Sequence, residues 1–96
     1  MVTDLKTFDY LFLKYRSIYI KLDVVVEEYY PNLCKEKMMI RARLQKFPFT
    51  CFRIDESQKG AIFVNIHELA EALDDIYSKN YAIFKNSTSK AIKSTS

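Results

Sequence analysis

The stretch from Leu22 to Ile66, LDVVVEEYYPNLCKEKMMIRARLQKFPFTCFRIDESQKGAIFVNI, constrains the fold more than any other part of the chain. A short amphipathic run stops at Pro31, which cannot sit inside a helix. After a tight turn comes CKEKMMIRARLQK, residues 34–46, free of breakers and rich in Lys and Arg. Two alternating runs follow, 51–55 and 62–66, separated by the polar segment 56–60, which contains the chain's only glycine, Gly60. Glycine there is free to take the positive φ that hairpin turns need.

The segments before and after this stretch are helical in pattern. Leu5, Phe8, Leu11, Phe12 and Tyr15 recur at helical spacing, with Thr3 or Asp4 available as N-cap, so a first helix is expected over 3–15. Its aromatic stripe is read as core, and as an interface too if it is wider than one domain covers. Residues 18–22, IYIKL, alternate as a short strand. That alternation persists to Val26, so one strand over 18–26 competes with a helix over 23–30. The helix is preferred: Asp23 can cap it, and Val25, Val26, Tyr29 and Tyr30 share a helical face. In 34–46, Met38, Met39 and Ala42 mark the core side. Ile40, Leu44 and Phe47 form a second apolar strip, expected to meet the first helix or the hairpin. The last helix is expected over 66–79, with Asn65 as cap and Glu68 completing a capping box. Leu69, Ala72, Leu73, Ile76 and Tyr77 make its stripe. From Lys85 onward the chain is basic and Ser/Thr-rich, which suggests a disordered tail.

This order specifies an α+β fold, a winged helix-turn-helix: helix, short strand, two helix-turn-helix helices, β-hairpin wing and C-terminal helix. One domain over 1–84 and a tail over 85–96 account for the length. Nearly half of the residues are hydrophobic and 15% are aromatic, so a modest core forms without staples. Cys34 and Cys51 form no CxxC pair and are read as reduced thiols, with no metal and no cofactor expected. No apolar run reaches the ~20 residues of a membrane span, and a soluble cytoplasmic chain is expected.

The net charge is only +3, but it is segregated. Between Lys35 and Lys59 the basic residues are Lys35, Lys37, Arg41, Arg43, Lys46, Arg53 and Lys59, against Glu36, Asp55 and Glu56. Between Asn65 and Ser78 the formal charges are Glu68, Glu71, Asp74 and Asp75, all acidic. Basic residues on a lone helix are usually ordinary solvated charges. Their place on the second helix after a tight turn, just before a hairpin, favours a nucleic-acid face. With the helix at 34–46 in a major groove, Lys37 and Arg41 are the candidates for base edges. Lys35, Arg43, Arg53, Gln58 and Lys59 would hold phosphates, the last two from a wing tip at 56–60. An enzyme is not expected. His67 is the sole histidine, no Gly-rich phosphate loop exists, and Glu27–Glu28 and Asp74–Asp75 each diverge by about 100° on a helix.

Two resemblances attach to these residues. The run from Ile20 to Leu73 is similar in order to excisionase and MerR-like winged-helix domains, ending in Leu69-Ala70-Glu71-Ala72-Leu73. More closely, LFLKYRSIYIKLDVVVEEYYPNL, KEKMMIRARL, FRIDESQKG and VNIHELAEALD resemble the pyocin activator PrtN family of small phage and bacteriocin regulators. The Ser57-Gln58-Lys59 triplet after Arg53 is the most characteristic piece. Near the end of the basic helix and at the start of the following strand, that family's pattern carries Gly and Pro; here Gln45 and Thr50 stand near those places. The resemblance implies a prophage-linked transcriptional activator that binds double-stranded promoter DNA, as a homodimer or cooperative oligomer, and that contacts RNA polymerase or a cognate regulator. An excisionase-like DNA-bending factor and an antirepressor-type protein-interaction module are the alternatives.

Overall fold

The computed structural model of the chain describes residues 5–56 and 60–95, with side chains described as far as residue 87. In chain order the elements are α1 (Thr7–Tyr15), β1 (Tyr19–Lys21), α2 (Leu22–Tyr29), α3 (Lys35–Arg43), β2 (Phe52–Arg53), β3 (Ile62–Asn65) and α4 (Ile66–Thr95). The fold is α+β, four helices with a three-stranded antiparallel sheet in a winged-helix-like arrangement. β3 lies between β1 and β2, with Ile20 opposite Val64 and Phe52 opposite Phe63.

The competition between strand and helix after Lys21 is resolved by burial. Leu22, Val25 and Val26 are all buried while Val24 is exposed, a helical pattern that no alternating strand can produce. Lys21 is the N-cap of α2, and Asp23, expected in that role, lies in the first turn, where its charge suits the helix dipole. Thr3 and Asp4, the expected caps of α1, lie outside the described residues. Lys6 is the N-cap, and its backbone N–H donates to the Asp9 carboxylate at 3.2 Å. The stripe on α1 is only partly core: Leu11 is fully buried and Phe8 and Tyr15 pack beside it, whereas Leu5 and Phe12 are exposed. Lys14 bridges to Glu28, tying α1 to α2, and that bond pushes the Lys14 ammonium well above its ordinary range.

α3 stops at Arg43, three residues before the expected end, without a glycine. Gln45 takes φ 52°, the left-handed region. Its N–H bonds to the Ala42 carbonyl (3.1 Å), and the Lys46 N–H reaches back to the Arg41 carbonyl (2.9 Å). This is the paired closure that glycine usually provides after a helix. The side chain offsets the conformational cost: Gln45 Nε2 donates to the Cys51 carbonyl (2.9 Å) and the Cys51 N–H donates to Gln45 Oε1 (3.2 Å). Thr50 is used similarly: its N–H donates to Glu68 Oε1 at 2.7 Å, a bond that a proline, which the resemblance implies near this place, cannot make. Glu68 therefore braces the connector, where the sequence suggested a capping box. The Asn65 half of that expectation holds, with Oδ1 accepting the His67 N–H at 2.7 Å.

These contacts give a graded stability series. Gln45→Ala removes both side-chain bonds and keeps the left-handed strain, and should cost about 1–3 kcal/mol in a urea melt. Gln45→Gly also loses the bonds but relieves the strain, and should be about 1 kcal/mol less damaging than alanine. Equal losses in the two variants would mean that the backbone conformation carries no cost.

The connector itself is pinned by aromatics. Phe47 and Phe49 stack at 5.3 Å, and Tyr30 meets Phe47 edge-on at 5.2 Å. Phe47 is thus buried while Ile40 and Leu44 are exposed, so the three do not form the single strip expected of them. The β2 strand is shorter than the expected 51–55, and Ile54 is exposed. Val64, Ile66, Leu69, Ala70 and Ala72 carry the core into α4. The helix then runs on past residue 79, its expected end, through the segment read as a tail. Nothing after Gly60 in the sequence is a glycine or proline that would break it.

Candidate nucleic-acid interface

α2 and α3 are joined by the turn at residues 30–34. The Tyr30 N–H closes α2 on the Val26 carbonyl, the Leu33 N–H bonds to the Tyr30 carbonyl, and Cys34 is the N-cap of α3. Met38 and Ala42 anchor α3 in the core, with Met39 half-buried beside them. At 100° per residue, the opposite side of the helix is centred on Ile40 and Leu44, with Glu36 and Lys37 adjoining. Those two apolar residues are 43% and 56% exposed. They are the part of the face that the sequence reading misassigned, having sent them inward. The phase of Met38 and Ala42 alone was enough to place them outside.

The basic residues divide around this ridge. Lys35, Lys37, Arg43 and Lys46 are exposed. Arg43 flanks one side, above a groove of about 410 Å³ between α3 and β2 that Met39, Ile40, Cys51, Arg53 and Ile62 also line. Arg53, on β2, is half-buried there. Arg41 flanks the other side and departs from its expected outward pose. It is half-buried, its guanidinium carbon 5.3 Å from the Phe47 ring centroid and 5.9 Å from that of Tyr30. A planar cation gains about 0.5–1 kcal/mol over an aromatic face, so this pose has to be given up for Arg41 to reach outward. Burial raises the Tyr30 phenol above its ordinary range, with the Arg41 charge opposing that shift.

Gln58 and Lys59, expected on the wing, lie outside the described residues. The hairpin that would carry them is formed by β2 and β3, with Arg53 opposite Ile62. Both cysteines are free: Cys34 is exposed at the start of α3, and burial, with Glu68 nearby, pushes the Cys51 thiol up to about 11. The ion pairs Lys14–Glu28 and Lys79–Asp75 both lie away from α3. Glu71, Asp74 and Asp75 are exposed on the first half of α4, apart from the basic residues that cluster on α3. No helix among the described residues is long and apolar enough to cross a membrane.

Residues 7–80, spanning every element named above except the distal part of α4, match the family model described as pyocin activator protein PrtN. No curated protein and no solved structure matches the chain.

Proposed function

The chain belongs to the pyocin activator PrtN family, and from that premise we propose that it activates transcription of prophage- or bacteriocin-type genes by binding promoter DNA with the outward face of α3. The observation that carries this reading is the solvent-facing ridge of Ile40 and Leu44 flanked by Lys37 and Arg43. A major groove needs cations at its phosphate walls and accepts apolar side chains against thymine methyl groups. Lys37 is the side chain best placed for base edges, and Arg41 joins it by swinging off the Tyr30–Phe47 pair. Lys35, Arg43, Lys46 and Arg53 face the backbone, and Gln58 and Lys59 extend that contact from the wing. The acidic residues of α4, Glu71 and Asp75, remain free of DNA to meet RNA polymerase or a cognate regulator.

The test is an anisotropy titration against duplexes from the promoters neighbouring the chain's own gene, at several salt concentrations. About five phosphate contacts per protomer give a log–log salt slope of roughly −4 to −5, with one fragment preferred. Replacing thymine by uracil in that fragment removes the methyl groups and should weaken binding while leaving the slope unchanged. Absence of any salt-dependent binding would defeat the proposal. A preferred fragment that is bent, with no activation of a reporter, would turn it into an excisionase-like function.

A further inference from the structure

The apolar stripe of α4 outruns the domain that it packs on. Leu69 and Ala72 are 1% and 8% exposed, but in the following turns Ile76, Tyr77, Tyr81, Ile83 and Phe84 are between 44% and 67% exposed. Counting 100° per residue, Ile76, Tyr77, Ile83 and Phe84 lie within about 60° of Asn80, on the side that Leu69 and Leu73 present to the core. The rings form a connected row, Tyr77 to Tyr81 at 6.0 Å and Tyr81 to Phe84 at 6.4 Å. The molecule measures 62 × 34 × 18 Å, elongated as a domain with a projecting helix.

We infer that this face seats a second copy of the chain, the two α4 helices packing antiparallel about a two-fold axis near Asn80. Area is the first argument. At about 200 Å² for a large side chain, the exposed parts of Ile76, Tyr77, Ile83 and Phe84 come to roughly 480 Å² per chain, and Tyr81, about 100° from Asn80, adds up to roughly 100 Å² at the edge of the seam. A pair then buries about 1,000–1,100 Å², at the lower bound of specific interfaces, and each patch is at the upper end of what a monomer leaves in water, where such patches are often functional. Self-complementarity is the second. Antiparallel pairing about Asn80 sets Ile76 against Phe84 and Tyr77 against Ile83 of the other copy, so Tyr77 and Phe84 each meet an aliphatic side chain. Asn80 Nδ2 donates to the Ile76 carbonyl of its own helix at 2.8 Å, which leaves Oδ1 to accept from across the axis. A single polar residue in such a seam fixes its register.

Charge chooses the direction. α4 carries Glu68, Glu71, Asp74 and Asp75 before the axis and Lys79 and Lys85 about it and beyond. Glu71, Asp75 and Lys85 lie about 140–180° from the seam and make no ion pair across it, but along the helix an antiparallel pair opposes the acidic half of each α4 to the basic half of the other, where a parallel pair would set like charges level.

The pairing does not depend on the DNA reading and is measured without DNA. Sedimentation equilibrium of the full chain should give twice its 11.4 kDa mass at micromolar concentration. The Ile83→Asp/Phe84→Asp double variant should associate at least about 100-fold more weakly, since residues at the centre of a small interface dominate its stability. Direction is read separately by mixing Cys34→Ser/Ile76→Cys with Cys34→Ser/Phe84→Cys chains and oxidising them. The expected product is the mixed 76–84 disulfide in excess over either self-linked dimer. A monomeric native chain, a dimer that the double variant leaves intact, or a preference for self-linked products would each overturn the inference. Should the double variant lose helicity by circular dichroism, the native mass and the cross-linking result decide alone.

Discussion

Reversing charge on both flanks of the α3 ridge, with Lys37→Glu and Arg43→Glu together, is expected to weaken promoter binding by at least about 100-fold. Each cation contributes about 1–3 kcal/mol where it meets DNA, and a carboxylate in its place adds repulsion. The two residues lie on opposite sides of Ile40 and Leu44, so no simple rolling of the helix in the groove spares both. Both are exposed, and the stability of the chain should change by no more than about 0.5 kcal/mol. The salt slope should also become shallower by about one contact, that of Arg43. Unchanged affinity in the double variant would remove α3 from the interface, whatever else the chain binds.

Leu69→Ala should have the largest effect on folding, a loss of about 2–5 kcal/mol. Leu69 is 1% exposed on α4, within the same buried cluster as Leu11, Val64 and Ile66. Alanine there forfeits the transfer of the removed methyl groups and leaves a cavity that helices and sheet cannot both close. In a domain of this size each kcal/mol moves the melting temperature by about 4–8 °C, so calorimetry should show a fall of roughly 10–30 °C. Leu44→Ala is the internal control. The same substitution on a residue 56% exposed should move the melting temperature by only a few degrees, while weakening DNA binding if the ridge contacts bases.

The order of elements was legible because its punctuation is chemical. Pro31 had to end α2, and Asn65 was a ready cap for α4. What escaped were stops made by residues without a stop signature. Arg16 and Gln45 both adopt left-handed φ, at 56° and 52°. Gln45 is held there by two bonds to Cys51, a partner six residues away that no local rule identifies. Glu68 looked like half of a capping box, but the Thr50 N–H claims it from another segment. The proposed binding face was legible in part. Lys35, Lys37 and Arg43 are exposed as the pattern suggested, whereas the pose of Arg41 depends on where Phe47 and Tyr30 come to rest. Ile40 and Leu44 were misassigned for a different reason: apolar side chains were presumed to seek the core, although the helical phase set them opposite it.

The outward ridge of α3 lying in a DNA groove is the claim on which the proposed function depends, and photo-cross-linking from position 40 tests it most directly. A photoreactive side chain in place of Ile40, irradiated with the preferred promoter duplex, should attach to bases in the major groove, while the same group at position 24 on α2 should give little product. Cross-links from position 40 that map to protein alone, or that are no more frequent on the preferred duplex than on unrelated DNA, would contradict the account.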